Sequence, residues 1–331
     1  PDIMWEQQQK TTLGLNISIA KGTNINFEVY ERNTYKTLAQ RYMNSASGFT
    51  SVPDNIGDMQ NRGFDITFST IAYRSKNNDL SIRPYFNMNY NQQKVTSLFD
   101  RKDNFINKTR MNGYRLNESL QWALPIFKGI NSNGDAEWYQ PNESNPMIQQ
   151  TDDTKITTLF SENLTQTTGK KMFAPINGGF GLTTTYRNVS LDLAFSYSLG
   201  KWLINEDKYY TLNQSSFGGK NFSKDLFNYW KQEGDDTELP KLSSAYYMRR
   251  DTRILENASY MRLKSLSLSY TLPQQAIEQM KFFSGVRLFA SARNLFTVTK
   301  YTGADPEFSN VLSRGGYPPT RQFTIGVELK F

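Results

Sequence analysis

Nine stretches of this chain alternate apolar and polar side chains residue by residue, and the segments joining them alternate short and long. The stretches are 12–20, 24–33, 63–73, 80–91, 178–186, 189–199, 259–271, 285–298 and 322–331. In 189–199, Val189, Leu191, Leu193, Phe195 and Tyr197 share one side, and Ser190, Asp192, Ala194, Ser196 and Ser198 the other, which is the period of an extended strand. Between them lie 21–23, 34–62, 74–79, 92–177, 187–188, 200–258, 272–284 and 299–321. Alternate connections of an antiparallel meander lie at the same end, so every long segment leaves one end of the sheet and every short turn the other. Greek-key sandwiches have no reason to sort their loops this way. Membrane-spanning barrels do, with short inner turns and long outer loops. Pro84 dissents, because proline cannot donate to a ladder.

Composition permits two readings. Only 37% of the residues are hydrophobic, yet 14% are aromatic, including 19 Tyr and 22 Phe. An aromatic-rich sandwich has this mixture, and so does a barrel with a wet lumen, a lipid-facing surface and aromatic girdles. Loop sorting favours the barrel. No run of 18 apolar residues occurs, so no helix is expected to span a membrane.

Cysteine and histidine are both absent. Disulfides, thiolate metal sites, histidine-based triads and imidazole zinc sites are therefore excluded, and no enzyme is expected. The net charge of +7 is dispersed, without a basic run interleaved with aromatics, so nucleic acid is not an expected partner. Residues 131–138, NSNGDAEW, place oxygen-bearing side chains as part of a calcium loop would, but the closing glutamate is missing, so neither a metal nor any other cofactor is expected.

The expected fold is thus all-β: a transmembrane antiparallel up-and-down β-barrel. Nine strands make an odd count where single-chain bacterial barrels are even, and an open sheet leaves two edges unpaired at membrane depth. Residues 1–331 are therefore expected to be a C-terminal barrel portion, completed by a longer chain or a second polypeptide. The opening PDIMWEQQQ fits the interior of a longer sequence. In the final stretch Phe323, Ile325, Val327, Leu329 and Phe331 lie on one face, suited to lipid.

Five segments, in order, carry a family resemblance: NIGDMQNRGFDITF (55–68), GDDTELPKL (234–242), ENASYMRLKSLSLSYTLP (256–273), ARNLFTVTKYTGADPEF (292–308) and GGYPPTRQFTIGVELKF (315–331). Together they resemble the C-terminal half of SusC-like, TonB-dependent outer-membrane transporters of the Bacteroidetes type, and residues 1–19 resemble that family's mid-barrel segment. The resemblance thins between about 92 and 177. It implies a 22-stranded barrel whose plug and first strands are not in this sequence, set in the bacterial outer membrane and energised through the TonB system. It further implies a SusD-like surface lipoprotein as partner and import of oligosaccharides or peptides. The alternative use of such a barrel is as a structural scaffold in an outer-membrane assembly or secretion complex.

Long loops on a rigid scaffold carry recognition. Trp122, Trp138, Tyr139, Trp202, Tyr229 and Trp230 are candidate platforms for sugar rings, with loop packing or an interface belt as the ordinary alternative for each. Asp235, Asp236, Asp305 and Glu307 are candidate docking acids that solvated loop charge explains equally well, and only the resemblance raises them. The aromatic end of the terminal strand resembles the signal read by the outer-membrane assembly machinery. That is compatible with Phe331 packing in a barrel seam.

Overall fold

The computed structural model describes residues 3–331 except 20–21, 44–47, 49–50, 100–102, 109, 143–147, 217–218, 220, 244–247, 281, 309–311 and 314. The end of the first expected strand, at 20, and the start of the first expected turn, at 21, lie outside the described residues. Nine long strands form one antiparallel meander: β1 (Gln7–Ile19), β2 (Thr23–Tyr42), β3 (Ser51–Ser69), β4 (Leu80–Leu98), β5 (Ile176–Tyr186), β6 (Val189–Leu199), β7 (Tyr260–Thr271), β8 (Gly285–Arg293) and β9 (Gln322–Lys330). Each pairs with the next in chain order, and β1 and β9 are the two edges. Connections 43–50, 99–175, 200–259 and 294–321 leave one end, here the loop end. Connections 20–22, 70–79, 187–188 and 272–284 leave the other, the turn end; at the loop end 43–50 is as short as these, and the other three connections are long. Among the described residues no helix is long and apolar enough to cross a membrane.

Register turns nine separate alternations into one surface. Ile17 lies opposite Ile25, Ile25 opposite Phe68, Phe68 opposite Phe86, Phe86 opposite Phe180 and Phe180 opposite Phe195. Lower on the sheet, Leu193 meets Leu266, Leu266 meets Ala292 and Ala292 meets Phe323. Because the side-chain period is two, a slip of one residue at any pair would break this sheet-wide apolar face. The opposite face reads Asn26, Thr67, Asn87, Gly179, Ser196 across five strands. A soluble sheet would cover its apolar side with a second layer. Here Leu15, Ile17, Leu268, Phe323 and Ile325 stay exposed, as lipid contact requires.

Pro84 sits in β4 without breaking the ladder. Its carbonyl accepts from Thr70 N at 3.2 Å, on the side where β3 has already ended at the Ser69–Tyr85 pair. The missing N–H points to that same side, so the β4–β5 ladder loses nothing. Gly178 carries a different requirement: the Tyr197 ring lies across it, and an added Cβ would come within 2.5 Å of the phenol oxygen. That oxygen donates to Asn87 O, one strand further on, at 3.1 Å.

One expected boundary is corrected. Residues 34–62 are not a long loop: β2 continues to Tyr42 and β3 resumes at Ser51, paired from Tyr42–Ser51 down to Asn24–Ser69. At 20, 19 and 19 residues, β2, β3 and β4 far exceed the roughly 9–11 residues a tilted strand needs to cross a bilayer. Their upper halves therefore stand above it, where both faces are wet and apolar alternation is not needed.

Candidate functional site

The principal hydrophobic core lies in the long connections rather than in the barrel sheet. Strands Asn104–Asn107, Asn112–Arg115, Gln121–Pro125 and Thr165–Lys171 form a small sheet. Residues from this sheet, from 248–255 and from Ile204 enclose Trp122, Leu124, Met111 and Met172 against Val95 and Leu98 of β4. Val95 shares the polar face of β4 with Asn89 and Asn91, so this loop layer folds over the loop end of the polar wall.

Two tryptophans expected as open platforms are core residues. Trp122 is 1% exposed and donates its indole N–H to Trp202 O at 2.8 Å. Trp138 is 5% exposed and donates to Asp251 Oδ2 at 2.8 Å, with Phe160 and Phe127 edge-on to its ring. Buried indoles satisfy their single donor this way. Tyr139 is half-buried, its hydroxyl donating to Asp153 at 3.2 Å, and burial pushes its phenol above the ordinary value. Trp202 is half-buried beneath Lys170, whose Nζ lies 4.4 Å from the ring centre. Tyr229 packs on Leu212, Leu226 and Leu239. Trp230 covers Gly134, where φ is +79° and a Cβ would meet the indole at 2.4 Å. The oxygen-rich run 131–138 is therefore a tight turn under Trp230, with Asp135 paired to Lys241 at 3.0 Å.

Two of the four expected docking acids are committed internally. Arg262, on the polar face of β7 opposite Ser196, is almost fully enclosed. It donates to Glu307 at 2.6 Å, to Asp305 at 2.5 Å and to Thr297 Oγ1 at 2.8 Å. Lys264 Nζ adds bonds of 2.7 and 2.6 Å to Glu307. These contacts pin 305–307 to the barrel wall. Asp235 accepts from Lys231 N and Gln232 N, which hold its carboxyl below the ordinary range. Asp236 is exposed.

Between loop layer and wall lies a cavity of about 350 Å³. Trp122, Met172, Phe173 and Leu203 form its apolar side, and Asn177, Ser198, Lys201, Tyr260 and Glu307 its polar side. Lys201 donates to Phe308 O, and burial lowers its ammonium below the ordinary value against the opposing pull of Asp305 and Glu307. Thus the cavity brings together Trp122 and Glu307 of the expected residues. Tyr139, Tyr229, Trp230, Asp235 and Asp236 do not line it.

No family model matches the chain. Solved structures do. The whole chain superposes on 36% of a chain in the structure of the RagAB peptide transporter, with a TM-score of 0.85 and 32% identity. It fits 35% of a chain of the RagAB peptide importer in its open-open state, at 0.83 and 33%. Among curated proteins, TonB-dependent receptor P3 of Formosa agariphila is 28% identical over all of the chain and 34% of the receptor. TonB-dependent receptor SusC of Bacteroides thetaiotaomicron is 24% identical over all of the chain and 32% of its own length. Over its whole length the chain is similar to SusC-like, TonB-dependent transporters. It spans about a third of the length of the curated relatives it matches.

As a SusC-like outer-membrane barrel segment, it turns its apolar face to lipid and its polar face to the lumen. Sequence reasoning missed Lys201, Tyr260 and Arg262 in this SusC-like segment. A signal for Arg262 and Lys264 was present: two cations interrupt a strand otherwise built from Tyr, Met, Leu, Ser and Thr, and cations on a barrel wall need partners.

Proposed function

We propose that this chain forms part of an active importer that moves oligosaccharides or peptides across the outer membrane, driven through TonB. A SusD-like surface lipoprotein closes the loop-end mouth. The remaining barrel strands pair with the β1 and β9 edges and enclose the plug. The loop end faces the cell exterior, and no chemistry is done on the cargo. The carrying observation is the sheet-wide lipid-facing surface whose three long connections fold over one end of a polar wall, together with the similarity of this whole chain to 36% of a chain of the RagAB peptide transporter. The partly open rings of Tyr139, Trp202, Tyr229 and Trp230 remain contacts offered to cargo or lipoprotein, and Asp236 is the docking acid left exposed. The terminal strand, with Phe331 against Phe282 and Phe283 at 5.5 and 5.3 Å, serves as the assembly signal.

The test is uptake of labelled oligosaccharide and peptide pools by cells carrying or lacking the complete transporter, with affinity purification of its surface partners. Uptake that depends on the transporter, and a co-purifying lipoprotein weakened by Asp236→Lys, are expected. Unchanged uptake with stable recovery of secretion or assembly components would replace the importer by a scaffold.

A further inference from the structure

The outward face of the tall strands changes character at one registered row. Leu13, Val29, Phe64 and Tyr90 lie side by side as the last apolar row, and Thr11, Glu31, Arg62 and Gln92 form the next row towards the loop end. Hydrocarbon therefore ends between these rows. One row higher stand Gln9, Asn33, Gln60 and Lys94. At about 3.4 Å per residue and a tilt near 40°, Gln92 sits about 5 Å and Lys94 about 10 Å above the last apolar row, the depth of the lipid headgroups.

At that depth a cavity of about 250 Å³ opens, lined by Gln92, Lys94, Glu118, Gln121, Lys171 and their neighbours. Its β4 residues are Gln92 and Lys94, which share the outward face with Tyr90. Gln93 and Val95, which face the lumen, do not line it. Lys94 is half-buried, and among the described residues neither it nor Lys171 forms an ion pair. The one carboxylate present, Glu118, is already held by Arg115 at 2.9 Å and by Gln121 Nε2 at 3.0 Å. Arg62, on the boundary row, is likewise neutralised by Glu31 at 2.7 Å. Two uncompensated ammonium groups and side-chain amides thus face a polar recess where the neighbouring molecules are lipids.

We propose that this cavity binds the phosphate headgroup of an outer-leaflet lipid, with Lys94 and Lys171 as the paired cations. Cationic side chains at the end of a hydrocarbon band attract anionic headgroups and act as point donors to phosphate. The acyl chains of such a lipid run down the apolar face below Tyr90, so binding couples headgroup and chain.

The experiment is native mass spectrometry of the complete detergent-solubilised transporter titrated with lipid A, phosphatidylglycerol or inorganic phosphate. Lys94→Gln/Lys171→Gln is compared with Lys231→Gln, an exposed loop lysine away from the cavity, and folding is checked by heat-modifiable gel mobility. At least a tenfold loss of lipid affinity in the double variant and none in the control is expected. Preference for lipid A or for phosphatidylglycerol identifies the lipid class, and either supports the site. Undiminished lipid binding in the folded double variant, or inorganic phosphate binding as tightly as the lipids, overturns it.

Discussion

The indole N–H of Trp138 meets Asp251 at 2.8 Å, and the same carboxylate grips Arg253 at 2.6 Å, with both ions enclosed in the loop layer. Arg253 also lies 4.3 Å from the centre of the Phe127 ring and donates to Glu238 O. Two connections, 99–175 with Trp138 and 200–259 with Glu238 and Arg253, are thus joined at one ion pair. Trp138→Phe keeps an aromatic ring but removes the donor and part of the buried volume, so the loop layer should lose at least about 1–3 kcal/mol of stability. Tryptophan fluorescence during urea titration measures this. Cargo affinity should stay unchanged, because the ring is a core group rather than a stacking platform.

Arg262 should matter more. Arg262→Met leaves Asp305 and Glu307 facing a wall without its main cation, at a cost of about 3 kcal/mol, the low end for a broken buried pair because Glu307 is partly wet. Limited proteolysis should then cut near 303–308 much faster than in the parent. Equal cleavage rates would contradict the pinning contacts.

Ser267 and Leu268 are neighbours in β7 on opposite faces, Ser267 opposite Asp192 and Leu268 opposite Leu191. Leu268→Arg places a charge in hydrocarbon and should cost about 2–4 kcal/mol. Ser267→Arg points into the lumen towards Asp192 and should fold with nearly normal yield. Refolding yield into lipid vesicles separates them, and similar yields for both would deny the lipid-facing surface.

Asp235 gives a pH signature. Backbone N–H groups of Lys231 and then Gln232 stabilise its ionised form, so its folded value lies below the ordinary 3.8. The contribution is complete above the unfolded value and disappears as pH falls through the lowered folded one. Amide exchange of 231–235, corrected for intrinsic rates, should keep its protection at the ordinary aspartate value and lose it further down. Asp235→Asn should remove that pH dependence.

The nine strands were legible because period-two alternation is local, and lipid on one side with water on the other writes it into each strand. Residues 34–62 were misread because TYKTLAQRY and SVPDNIGDMQNRG stand above the bilayer, where a ladder holds without an apolar face. The loop layer was illegible for another reason. Its strands are mostly four or five residues long, too short for a period, and Trp122 in sequence looks the same whether it crowns a surface or fills a core. Pairings such as Arg262 with Asp305, 43 residues apart, are set only by tertiary structure.

The unequal strand lengths also give the rim a direction. On the side of β2, β3 and β4 a stiff, hydrogen-bonded parapet rises well clear of the membrane, whereas β8 and β9, at nine residues each, stop near its surface. A bulky visitor diffusing over the cell meets a hydrogen-bonded fence on one flank, and on the other only the irregular connection 294–321 above two short strands.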